Sequence, residues 1–194
     1  MQTRRQFLAQ TSTLAGGAGL GLTLAPRLFA QSGGANDRVV FGLIGCGGMG
    51  RANLQQFMRS KEVAVTAVCD VDASHMDNAA ADVFNTGRAA PKKLKDFRRL
   101  LEQKDIDAVI IGTPDHWHTI PFIAACEAGK DIYCEKPISH SFVEAKAMLS
   151  AARHFDRVVQ VGTWQRSMKH FQDAIQFVRS GKMGKIGVCR AWVF

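Results

Sequence analysis

The stretch RVVFGLIGCGGMG, residues 38 to 50, decides the fold. Its first half is a short β-branched, apolar run that reads as a buried strand. Its second half sets glycines at 45, 47 and 50 in the spacing G-x-G-x-x-G. Spacing alone is a weak signal, since GGAGLG at 16–21 is as glycine-rich and carries no such meaning. The context gives it weight. The turn directly follows an apolar strand and opens a helical pattern, MGRANLQQFMRS (49–60), with Leu54, Phe57 and Met58 on one face. There Gly45 permits a tight turn, Gly47 lets backbone approach a pyrophosphate, and Gly50 lets helix and strand pack closely. The free N–H groups of the helix start face the anion. Gly45, Cys46, Gly47, Gly48, Met49 and Gly50 are therefore candidate dinucleotide contacts.

An acid is needed about 20 residues on, at the end of the next strand. VAVTAVCD (63–70) ends on Asp70, placed to accept hydrogen bonds from the adenosine ribose. A carboxylate there repels a 2′-phosphate, so NAD is preferred to NADP. Asp72 is the fallback acid, better suited to capping the helix ASHMDNAAADVFN (73–85). Further along, LKDFRRLLEQ (94–103) has helical spacing, and IDAVIIGTP (106–114) reads as a strand. HTIPFIAACEAG (118–129) is a helix that Gly129 can end, followed by the strand DIYCE (131–135). SFVEAKAMLSAARHF (141–155) begins with the capping box Ser141/Glu144, and VVQVG (158–162) is a fifth strand. Short, continuously apolar strands alternating with helices predict a doubly wound α/β domain over residues 38–163. The segment 164–194 reads as the start of a second domain: a helix within 171–184, then a strand over 185–194.

The chain has 194 residues, 46% hydrophobic and 22% charged, ordinary for a globular protein. Of its net charge of +8, Arg4, Arg5 and Arg27 supply three, leaving +5 spread over the remainder. No basic stretch is interleaved with aromatics, so nucleic acid is not an expected partner. The first 30 residues have the order of a secretory signal. TRRQFL is followed by a weakly apolar run and a small residue, Ala30, as cleavage point. Adjacent Arg4 and Arg5 make it similar to a twin-arginine signal, and the run is too short and glycine-rich for a membrane anchor. Residues 31–37 read as a flexible lead-in. The five cysteines are odd in number and form no CxxC pair. Buried free thiols fit a protein that folds in the cytoplasm and is then exported.

Two further stretches carry chemistry. GTPDHWH (112–118) ends a core strand, where ligands of such sheets bind. Thr113, Pro114, Asp115 and His118 are its candidates, although His118 serves equally well as a cap or packed ring. DIYCEKPISH (131–140) delivers Lys136 to the end of the next strand. That lysine can exchange a proton with a substrate hydroxyl, while Pro137 is expected to hold Lys136 extended. Glu135 orients it or merely ends the strand. No cluster has metal-ligand spacing.

The glycine fingerprint, Asp70, TPDHWH, AGKDIYCEKPIS and VVQVG occur in an order that resembles the glucose–fructose oxidoreductase and inositol dehydrogenase family, the Gfo/Idh/MocA oxidoreductases. The resemblance implies that Lys136 assists hydride transfer between NAD(P) and a sugar or cyclitol hydroxyl. It also implies that Thr113, Pro114, His118 and Glu135 contact the cofactor, and that Trp164, Gln165 and Arg166 face the substrate. The family's second domain supplies a catalytic histidine that His140, His154 and His170 do not match. The chain is accordingly expected to be an amino-terminal piece, binding NAD but turning over little alone, and homo-oligomeric at full length. Two other classes stay open: an NAD-dependent glycoside hydrolase of the same superfamily, and a non-catalytic NAD-binding module.

Overall fold

The computed structural model describes residues 38–192. Residues 1–30, read as a signal, residues 31–37, read as a lead-in, and Val193–Phe194 lie outside the described residues. One six-stranded, wholly parallel sheet has the order β3-β2-β1-β4-β5-β6. Its strands are β1 (Val39–Ile44), β2 (Val63–Cys69), β3 (Lys92–Leu94), β4 (Ala108–Ile111), β5 (Asp131–Cys134) and β6 (Val159–Val161). The chain runs outward from β1 to one edge, crosses back, and runs outward to the other. The switch point therefore lies between β1 and β4, where doubly wound sheets open a ligand crevice.

Continuous apolar strands bury both faces. On one face Leu43, Val68 and Ile110 pack with Leu54, Met76 and Val83. On the other, Ile44, Cys69, Val109 and Ile111 pack with Leu100, Phe122 and Met148. Neighbouring strand residues thus serve opposite cores, as the pleat requires. The helices are α1 (Gly48–Phe57), α2 (Ala73–Asn85), α3 (Phe97–Leu101), α4 (Thr119–Glu127), α5 (Phe142–His154) and α6 (Lys169–Arg179).

Local signals explain most boundaries. Asp72 caps α2, accepting from the N–H groups of Ser74 and His75. Ser141 and Glu144 form the expected capping box of α5. Gly129 takes φ +72° beyond α4, after which Lys130 turns inward. The residue is 7% exposed, and its ammonium donates to the carbonyls of Gln103 and Ile106 at 2.9 and 2.8 Å.

Three expectations need correction. VVQVG forms the sixth strand of the sheet, because Lys92–Leu94 is a strand that its charge concealed. An edge strand faces water and tolerates lysines, and the helix read over 94–103 shortens to α3 behind its cap Asp96. Lys185–Trp192 forms no strand and is exposed along its length, since a strand needs a pairing partner and this run meets none among the described residues. The Lys136–Pro137 peptide is cis.

Candidate functional site

A cleft of about 900 Å³ opens at the carboxyl ends of β2, β1 and β4. The glycine turn forms its floor. Gly45 takes φ +88°, and a Cβ there would stand 2.5 Å from the Thr113 nitrogen. At Gly50 a Cβ would stand 1.9 Å from the Gly45 carbonyl oxygen. Gly112, which the sequence reading passed over, is as constrained: its Cβ would lie 2.6 Å from Gly50 Cα. Three backbones therefore meet without side chains between them. Gly47 and Gly48, in contrast, line the cleft and have nothing within 4 Å of an added Cβ. No side chain caps α1, so its first N–H groups are left for an anion.

Asp70 directly follows β2 on the cleft wall. Its Oδ2 accepts from Cys46 N at 2.6 Å and its Oδ1 from Asp72 N at 2.9 Å. The carboxylate thus shapes the glycine turn as well as facing the cleft. Asp72 is occupied by Ser74 and His75. The hydroxyl of Ser74 and the backbone N–H groups hold its carboxyl below the usual range. Beneath the turn, burial pushes the Cys46 and Cys69 thiols up to about 12, with Asp70 adding to both shifts.

Thr113 and Pro114 line the cleft. The Thr113 hydroxyl is buried without a hydrogen-bond partner among the described residues, which leaves a polar atom for a ligand to satisfy. His75, Lys95–Arg98, His116 and Trp117 complete the wall. Sequence reasoning missed most of these because the segment Lys95–Arg98, the turn into α3, follows the unrecognised β3. Their one legible signal was position, just beyond strand ends.

Other candidates stand outside that wall. Cys46 and Gly50 are buried under the turn, and Met49 is 43% exposed on α1. Asp115 accepts the N–H of His116 at 2.9 Å. His118 is 1% exposed, with its ring between the carbonyls of Thr113 and Pro137. Glu135 is 3% exposed. It accepts from Asn53 Nδ2 at 2.8 Å and from the N–H of Lys136 at 3.0 Å. Lys136 is exposed, one strand beyond the cleft and beside the Thr113 turn through His118. Trp164, Gln165 and Arg166 lie on an exposed 3-10 turn, Trp164–Ser167, away from the wall. No group of three or more metal-ligating side chains forms among the described residues.

Residues 39–163 match the Gfo/Idh/MocA oxidoreductase family, NAD-binding Rossmann fold. An oxidoreductase of Bacillus subtilis, YrbE, is 33% identical over 147 residues, spanning 76% of this chain and 42% of its own. A glycosyl hydrolase family 109 protein of Stenotrophomonas maltophilia is 31% identical over 193 residues, spanning 94% of this chain and 40% of its own. Among solved structures, scyllo-inositol dehydrogenase from Lactobacillus casei, with bound NAD(H) and scyllo-inositol, superposes with a TM-score of 0.65 at 25% identity. The superposition covers 77% of this chain and 43% of that one. The chain spans about two fifths of the length of the curated relatives it matches. It belongs to the Gfo/Idh/MocA oxidoreductase family, and residues 39–163 are an NAD-binding Rossmann domain.

Proposed function

We propose that this protein transfers a hydride between NAD and a hydroxyl of a sugar or cyclitol, with Lys136 exchanging the hydroxyl proton. The observation that carries the reading is the placement of Lys136. It is exposed at the carboxyl end of β5, its own N–H held by the buried Glu135. NAD, when bound, supplies the hydride acceptor. The first N–H groups of α1 hold the pyrophosphate, Asp70 the ribose hydroxyls, and the unpartnered Thr113 hydroxyl a further polar group. Lys136 in its unprotonated form takes the proton from the substrate oxygen. Trp164, Gln165 and Arg166 are assigned to the substrate side. Positioning supplies roughly 7–11 kcal/mol in well-oriented reactions, so the described residues alone are expected to bind NAD better than they turn it over.

The test is NADH formation with a panel of sugars and cyclitols, for the protein and for Lys136→Met. Loss of NADH formation in the variant, with NAD affinity kept, is expected. Equal rates would remove Lys136 from the chemistry.

One observation favours a second reading. The glycosyl hydrolase relative aligns over nearly the whole chain, including residues outside the family match at 39–163. In that reading NAD is used transiently and glycoside is cleaved without net NADH. Release of an aglycone from a chromogenic glycoside, with no rise in absorbance from NADH, would establish it over the dehydrogenase.

We also place the protein outside the cytoplasm, exported folded by the twin-arginine route. Support comes from Arg4 and Arg5 and from four buried free thiols, Cys46, Cys69, Cys126 and Cys134. Replacing both arginines by lysine should retain precursor in the cytoplasm, and normal export of that variant would refute the route.

A further inference from the structure

His118 is buried too deeply to touch a ligand in the cleft, yet both of its ring nitrogens are engaged. Nδ1 lies 2.8 Å from the carbonyl oxygen of Pro137, and Nε2 lies 2.8 Å from that of Thr113. Carbonyl oxygens only accept, and a neutral imidazole has a single N–H. A neutral ring therefore serves one carbonyl and turns a lone pair towards the other. A ring with two protons donates to both, through charge-assisted bonds. Those two bonds offset part of the cost of burying the charge.

The carbonyls belong to different loops. Thr113 is part of the cleft wall. Pro137 directly follows Lys136, whose preceding side is already fixed by its N–H on Glu135. The ring therefore grips the Lys136 loop from its other side and ties it to the wall of the NAD cleft.

We propose that His118 is a positioning residue for Lys136: a doubly protonated ring that donates to Thr113 and Pro137 at once and holds the two loops in register. The inference rests on the role proposed above for Lys136, but the clamp itself is measured without turnover.

Ring 15N chemical shifts of histidine-labelled protein, assigned by the signals lost in His118→Gln, test the proton count. Two proton-bearing nitrogens are expected, and one bare nitrogen would overturn the two-ended bridge. Amide hydrogen exchange tests the positioning. His118→Phe keeps the ring volume and removes both donors. It should speed exchange across residues 136–140 by about tenfold, as expected for local opening on loss of a buried hydrogen bond. Ile132 in β5 should stay protected, and His118→Gln, with a donor at one end, should fall between the two. Unchanged exchange in His118→Phe would make the ring a packing group and overturn the proposal. Should that variant unfold globally, seen as lost protection at Ile132, the wild-type nitrogen shifts decide. Absence of NADH formation by the wild type would sink the role of Lys136 and leave these two readouts intact.

Discussion

Asn53 Nδ2 donates to Glu135 Oε1 across 2.8 Å, joining the first helix after the glycine turn to the strand end that carries Lys136. Both residues are buried, at 8% and 3% exposure. Gly162 makes room for the pair, since a Cβ there would lie 2.8 Å from Glu135 Oε1. The Tyr133 hydroxyl borders the same carboxylate. Burial first, then Glu135, pushes its phenol up. One carboxylate thus ties α1 to the end of β5 at the rear of the site.

Removing one donor from it should be costly. Asn53→Ala is expected to destabilise the fold by about 1–3 kcal/mol, the penalty for a buried polar group losing its partner. Thermal unfolding measures it. A change below about 0.5 kcal/mol, typical of an uninvolved surface position, would show that Glu135 does not depend on Asn53.

The glycine turn gives a paired test. Gly50→Ala would place a Cβ 1.9 Å from the Gly45 carbonyl oxygen, a backbone atom that cannot step aside. Overpacking of this kind costs about 1–3 kcal/mol and sometimes more, and the displaced turn should lose NAD binding as well. Gly48→Ala meets nothing within 4 Å and should leave the melting temperature unchanged. Any loss of NAD affinity at Gly48 would then report the ligand that fills the open space.

How much of this was legible in the sequence follows from where the information is local. Apolar strands announce themselves as runs, the four inner ones with buried residues and β6 with valines at two of its three positions, so five of them were readable, and with them the fold class. The edge strand Lys92–Leu94 was not, because its side chains face water and its pairing partner Ala67–Cys69 is distant in sequence. Helix caps at Asp72 and Ser141 depend on the next three residues and were readable for that reason. In the site, Asp70 and the glycines were found by spacing to a strand end. The roles of Asn53, Gly112 and the His118 ring were not, since each exists only where separate segments meet. Lys185–Trp192 shows the converse: a β-like composition makes no strand without a partner.

The cysteines give a pH prediction. Burial pushes the thiols of Cys46, Cys69 and Cys134 up to about 12, and that of Cys126 up to about 11. The ordinary value is 9.0. Between 9 and these values the unfolded chain binds fewer protons than the folded one. Stability therefore falls as pH rises through that window, and the contribution is fully present below 9. Denaturant midpoints measured from pH 7 to 10.5 should decline above about pH 9. In native protein at pH 8 a thiol reagent should label the exposed Cys189 quickly and the four buried thiols slowly. Rapid labelling of all five would contradict their burial.

Asp70 permits the sharpest test of cofactor choice. Its two oxygens already hold the Cys46 and Asp72 N–H groups, and a carboxylate has about four acceptor positions, so lone pairs are left for ribose hydroxyls. A 2′-phosphate brought to the same place meets like charge. At 4 Å one pair of charges costs about 1 kcal/mol in water and about 4 kcal/mol near a protein surface. NAD should therefore bind at least about tenfold more tightly than NADP, the equivalent of 1.4 kcal/mol. Asp70→Asn removes the charge but also leaves one backbone N–H facing an amide NH2, so the glycine turn loosens too. The two effects separate in the ratio of affinities. A loosened turn weakens both nucleotides alike, whereas loss of charge moves NADP relative to NAD. Calorimetric titration of both nucleotides at two salt concentrations should show the preference collapse in the variant. The wild-type preference should shrink at high salt, where exposed charges are screened. An unchanged NAD:NADP ratio in Asp70→Asn would mean that discrimination comes from elsewhere on the wall, with Lys95 and Arg98 the next residues to change.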